Sequence, residues 1–217
     1  MRLPACFAAL CLAAGLAQHL TAAPSVGLVI VPGKTIGPVG SGASLTDFTK
    51  AFGPANVRQG DVYLGEESEE PGLILFPRDA ERRLHVGWKD SERKRGVRQI
   101  FIVAEQPSVR PTPGKWRLQN GIAIGTTLRE MEKLNGRPFT LYFTDYDAGS
   151  GIASWNGGRL GDGFNQNWKV LVEAETSWAL RIGEMRKARN SDQIRFESNS
   201  AVMQSSNPWV GSIYAYF

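Results

Sequence analysis

One phrase occurs twice in this chain, and it limits the fold more than any other feature. Residues 43–54 read ASLTDFTKAFGP and residues 125–138 read GTTLREMEKLNGRP. At a constant offset (127 − 44 = 83), Ser44 falls on Thr127, Leu45 on Leu128, Asp47 on Glu130, Phe48 on Met131, Lys50 on Lys133 and Gly53 on Gly136. Ser or Thr with an acid three residues on is capping-box grammar: the hydroxyl takes an orphan N–H of the first turn, and the acid reaches back to the cap N–H. Leu128, Met131 and Leu134 share one face at helical spacing. Gly53 and Gly136 suit a left-handed helix end, and Pro54 and Pro138 prevent continuation. The phrase predicts helices over 45–52 and 128–135. It predicts no phosphate loop, because neither copy has Gly-x4-Gly-Lys-Ser/Thr.

Strand-like runs follow each helix. DVYLGEE, GLILFP, RLHVGWKD and VRQIFIVAE follow the first; FTLYFTDY, GIASWNGG, WKVLVEAE and WVGSIYAYF follow the second. They are rich in β-branched and aromatic residues and bounded by Gly, Pro, Asp and Asn. SWALRIGEMRKARNS, 177–191, reads as either a short helix or a basic loop. EQPSVRPTPGK, 105–115, carries three prolines and marks a boundary. The expected fold is α+β: two tandem copies of a short helix followed by an antiparallel β-meander, over 24–106 and 116–217, joined by a Pro-rich linker at 107–115.

The signature from Gly-Thr-Thr-Leu to Leu-Asn-Gly-Arg-Pro resembles the helix and turn of small exported bacterial α+β modules. Among these are the tandem-repeat β-lactamase-inhibitory proteins and the small lipoproteins of outer-membrane assembly. The longer stretch 121–160 continues through Pro-Phe and Asp-Tyr to Ser-Trp-x-Gly-Gly. It is similar to a family of uncharacterised secreted bacterial proteins. The inhibitor resemblance implies a protein-binding role.

The N-terminus supports export. Arg2 precedes an apolar run from Leu3 to Ala17, too short to span a bilayer, and small residues follow. This layout predicts a signal peptide over 1–23 and a periplasmic or secreted protein. Both cysteines, Cys6 and Cys11, lie within it, so the mature chain is expected to form no disulfide and offer no thiol nucleophile. No later segment is apolar for long enough to cross a membrane as a helix. The formal charge of +4 favours solubility and, outside the cytoplasm, points away from nucleic acid as a partner.

The residues for catalysis are sparse. With His19 in the leader, His85 is the one remaining histidine; strand alternation turns it away from Leu84 and Val86, towards solvent. No Gly-x-Ser-x-Gly elbow accompanies it, and one imidazole does not make a zinc site. Asp145 and Asp147 open like a calcium loop, but Asn156 stands where a bidentate Glu belongs. No metal and no cofactor are expected. EESEE (66–70) and SERKRGVR (91–98) read as charged hairpin tips.

The most unusual stretch is DYDAGSGIASWNGGRLGDGFNQNW, 145–168. Read as a recognition loop, it offers Tyr146, Trp155 and Trp168 as anchors and Asp145, Asp147 and Asn156 as polar contacts. Read as scaffold, its tryptophans are core residues of strands. The expected function is a non-enzymatic binding protein of the cell envelope, its partner a protein or glycan. The alternative is a hydrolase that uses carboxylates on cell-wall or extracellular glycan.

Overall fold

The computed structural model describes residues 27–217 apart from 66–68, 107–108, 145–149 and 190, so the expected leader lies outside the described residues. Both capped helices form where their phrase puts them: α1 is Leu45–Phe52 and α2 is Leu128–Asn135. The Asp47 carboxylate accepts from Ser44 N at 2.8 Å and Glu130 accepts from Thr127 N at 2.8 Å, while each cap hydroxyl takes the N–H of its acid. These backbone bonds are the main reason both carboxyls titrate below their ordinary range. The helix ends differ. Gly136 is left-handed (φ 78, ψ 3), whereas Gly53 combines φ 82 with ψ 146, a region open almost only to glycine.

The described residues form two sheets. Short strands β1 (Val29–Val31), β2 (Thr35–Ile36) and β3 (Val39–Gly40) join β8 (Arg117–Leu118) in the order β3-β2-β1-β8, with only β1 and β8 parallel. The large sheet contains β4 (Val57–Tyr63), β5 (Glu69–Leu75), β6 (Leu84–Asp90), β7 (Arg95–Val103), β9 (Thr140–Thr144), β10 (Ser150–Ser154), β11 (Trp168–Glu173), β12 (Gln193–Glu197) and β13 (Trp209–Tyr216). Its order is β12-β9-β10-β11-β13-β7-β6-β5-β4, antiparallel throughout. The ambiguous basic segment is a helix, α3 (Thr176–Ala188), and α4 (Ala201–Ser206) precedes β13.

Alternation gives the large sheet two faces. Leu73 and Leu75, Leu84 and Val86, Ile100 and Ile102, and Val170 and Val172 point inward with Ile213 and Ala215. They join Phe48 and Phe52 of α1, Leu128 and Met131 of α2, and Ile30 and Leu118 of the small sheet in one core. The halves drawn at the Pro-rich segment therefore share a sheet and a core, and Trp116, just after that segment, packs on Phe52 and Phe76.

The outer face carries a smaller cluster: Val62, Leu64, Ile74, Phe101 and Tyr214. The β4–β5 hairpin folds over it. Pairing of β5 with β6 stops at Gly72 and Gly87, while pairing with β4 continues to Tyr63 and Glu69. A Cβ on Gly72 would overlap Val62, and one on Gly87 would approach Leu64 to 2.5 Å, so these glycines let the hairpin lie down. Gln99 Nε2 donates to Leu64 O (2.9 Å) and pins its tip.

Candidate functional site

The structure separates the residues expected to form a recognition loop. Asp145, Tyr146 and Asp147 lie outside the described residues. The stretch 145–168 is not one loop, since β10 lies within it and Trp168 begins β11. Trp155 and Trp168 are each 3% exposed and belong to the core, which corrects the anchor reading in favour of the scaffold reading. The reason is strand parity: Trp168, Val170 and Val172 alternate inward, and Trp155 packs against Phe139 at 4.8 Å and Trp168 at 6.0 Å. Asn156 is exposed, at φ 52, and its amide donates to Glu197 Oε2 (3.2 Å), consistent with a turn residue.

The motif around these residues is explained by Asn135. This side chain is 1% exposed, and its Nδ2 donates to Trp155 O (3.0 Å) and Arg137 O (2.9 Å). Its Oδ1 accepts from Leu160 N at 3.1 Å. Gly158 lies so close that any Cβ there would overlap the Asn135 amide. Leu-Asn-Gly and Trp-Asn-Gly-Gly are thus two sides of one buried clamp.

A cleft does occur elsewhere, at the end of β7. Two cavities of about 370 and 410 Å³ share Ala80, Val103, Ala104 and Glu105. The first extends over Ile102, Val109, Pro111 and Ile124; the second extends over Arg83, His85 and Phe101. Local bonding fixes the walls. Lys115 N donates to Glu81 O (2.9 Å), Trp116 Nε1 to Arg82 O (2.7 Å) and Gly114 N to Ile124 O (3.1 Å). Residues 109–115 of the Pro-rich segment read as a linker therefore form one side of the cleft.

The cleft continues an apolar strip. Tyr63, Val103 and Val109 are 45%, 41% and 59% exposed. The Tyr63 ring meets Phe101 edge-on at 5.6 Å. His85 is half-buried beside them rather than turned freely to solvent. Its Nδ1 lies 2.9 Å from Tyr63 O, which can only accept, so Nδ1 carries the proton and Nε2 is left as an acceptor. Burial, then the Arg83 and Arg58 charges, hold its pKa below the usual histidine value despite the opposing Tyr63 bond. The ring is therefore neutral at pH 7. No known protein family, characterised protein or solved structure matches the chain.

Among the described residues, catalytic groups do not converge here. Glu105 is engaged by Arg83 at 2.8 Å. Glu173 is the one carboxyl among the described residues whose pKa is raised, through burial, and its side chain lies against Gly211 on the outer face. No group of three or more His, Cys, Asp or Glu able to hold a metal occurs among the described residues. Val103, Val109, Arg83 and Glu105 were not singled out from sequence. The available signal was VRQIFIVAE, in which Ile100 and Ile102 make one strand face apolar while Phe101 and Val103 do the same to the other.

Proposed function

We propose that this chain is an exported, non-enzymatic binding protein of the bacterial cell envelope, periplasmic or secreted. It engages a protein or glycan along the strip from Tyr63 through Val103 to Val109. The carrying observation is that these three are among only five large apolar side chains exposed among the described residues, the others being Val29 and Leu180. Single exposed apolar residues need no explanation, but a row of them beside a cleft fits an interaction surface.

The scaffold of this reading is two tandem helix-and-meander units. Supporting it, the strands run β4-β5-β6-β7 on one side of the large sheet and β9-β10-β11-β13 on the other, with β7 against β13. Each helix start is tied to the last of these strands in its own half. Leu45 N donates to Lys94 O (3.0 Å) as Leu128 N does to Pro208 O (2.7 Å). Gly96 N donates to Ala43 O (2.9 Å) as Val210 N does to Thr126 O (2.9 Å).

The test is capture by immobilised mature protein from periplasmic extract and on purified peptidoglycan. Val103→Asp should abolish retention of whatever the unmodified protein holds, and Asn156→Ala should leave it intact. Equal retention by Val103→Asp would place the working surface elsewhere.

A further inference from the structure

Charge around the cleft is unevenly satisfied. Both acids that line it among the described residues have a cation, Glu105 in Arg83 at 2.8 Å and Glu81 in Lys115 at 3.1 Å, and Asp79, one residue before the lining Ala80, has Arg82 at 2.6 Å. Three arginines around it form no ion pair among the described residues. Arg110 lines the first cavity, Arg78 stands two residues before the lining Ala80, and Arg58 is close enough to bear on His85. Arg110 also acts on Glu130, but that carboxylate is already held by Thr127 N and Oγ1. Among the described residues, an apolar floor thus has more cations around it than acids to pair them.

Resting on the binding role above, we infer that the partner is a protein presenting an acidic, apolar segment, with aliphatic side chains seated over Val103 and Val109 and carboxylates meeting Arg58, Arg78 and Arg110. Aliphatic Val103 and Val109 suit apolar side chains better than sugar faces, which stack on aromatic rings; Tyr63 is the one exposed aromatic of the strip. Arginine suits carboxylates because its planar fork can donate two parallel hydrogen bonds. Neutral His85, with Nδ1 committed to Tyr63 O, offers Nε2 to a backbone N–H of the segment.

Three labelled peptides provide the probe: one alternating valine and glutamate, one alternating valine and lysine, and one alternating serine and glutamate. Fluorescence anisotropy with the mature protein should show binding of the first, weakened by added salt, and binding about tenfold weaker or worse for the other two. The combined variant Arg58→Gln, Arg78→Gln, Arg110→Gln alters exposed positions and should weaken the first peptide by about tenfold with thermal unfolding unchanged. Val103→Asp should weaken it as much. Equal binding of the lysine peptide, equal binding of the serine peptide, or no binding of any peptide would overturn the inference. So would dextran sulfate binding that is as tight and as sensitive to Val103→Asp, since polyanion attraction alone would then suffice. If Val103→Asp abolishes capture from the envelope while the valine–glutamate peptide fails to bind, the binding role stands and the acidic partner falls.

Discussion

Replacing Asn135 with Leu removes three hydrogen bonds and keeps the branched skeleton of the side chain, with methyls somewhat larger than the amide O and NH2 they replace. Two of the lost bonds, to Trp155 O and from Leu160 N, are buried; the third, to Arg137 O, lies where water has access. A buried polar group left without a partner costs about 1–3 kcal/mol. Trp155 O keeps the Gly158 N–H at 2.9 Å, so Leu160 N is the one buried group left without a partner, and the loss is about 1–3 kcal/mol, with about 2 kcal/mol as the central expectation. At about 2–4 °C per kcal/mol for a chain of this size, melting should fall by about 4–8 °C. Equilibrium urea unfolding measures the change directly: the midpoint should move with the slope unchanged, since the core is otherwise intact. Asn135→Asp separates the contributions, keeping the acceptor for Leu160 N but removing the donor to both carbonyls. It should also destabilise, because a buried carboxylate oxygen would then face the Trp155 and Arg137 carbonyls with no proton between them. A loss below about 1 kcal/mol for Asn135→Leu would mean that water or a backbone shift satisfies Leu160 N, and the clamp argument would be refuted.

Gly136→Val forces a β-branched side chain into the left-handed region at φ 78 and should cost about 1–2 kcal/mol by chemical denaturation. Trp155→Ala and Trp168→Ala should each lose about 3–5 kcal/mol in the same assay, whereas exposed anchors would leave unfolding nearly unchanged. Glu173→Gln should raise the melting temperature at pH 7. Burial raises the folded-state pKa of Glu173, so its effect favours folding below the unfolded value of 4.5 and is lost as pH rises through the folded value. The advantage of Gln should therefore shrink towards pH 4, and scanning calorimetry at both pH values checks it.

Helices α1 and α2 were legible because their instructions are local: a hydroxyl, an acid three residues on and a terminal glycine fix both ends. The long strands were legible from composition, and Asn135 was visible only as one letter of a motif. Its role depends on Trp155 and Leu160, which fold beside it through pairing that no local pattern encodes. Strand β12 escaped notice because Gln193, Arg195 and Glu197 make QIRFE look polar, and its pairing with β9 is decided across about fifty residues of chain (193 − 144 = 49). The tryptophans were ambiguous for a related reason. Glycine-rich surroundings suggested exposure, but the inward parity of β11 places Trp168 opposite Ala215 in the centre of the sheet. Val109 escaped because it sits among prolines, and only the bonds from Gly114, Lys115 and Trp116 turn that segment into a wall.

The placement of β13 has a consequence for the order of assembly. Residues 209–216 follow every other strand along the chain, yet they lie between β11 and β7 and hydrogen-bond to both. Until they emerge, the earlier strands form two fragments with open inner edges, and the first helix and meander have no partner across the middle. A chain crossing a membrane N-terminus first would therefore stay unable to close its sheet until almost its whole length had passed. Translocation and folding would then be separated in time by the position of one strand, and removal of residues 209–216 should leave edge-exposed, aggregation-prone halves rather than a shortened native protein.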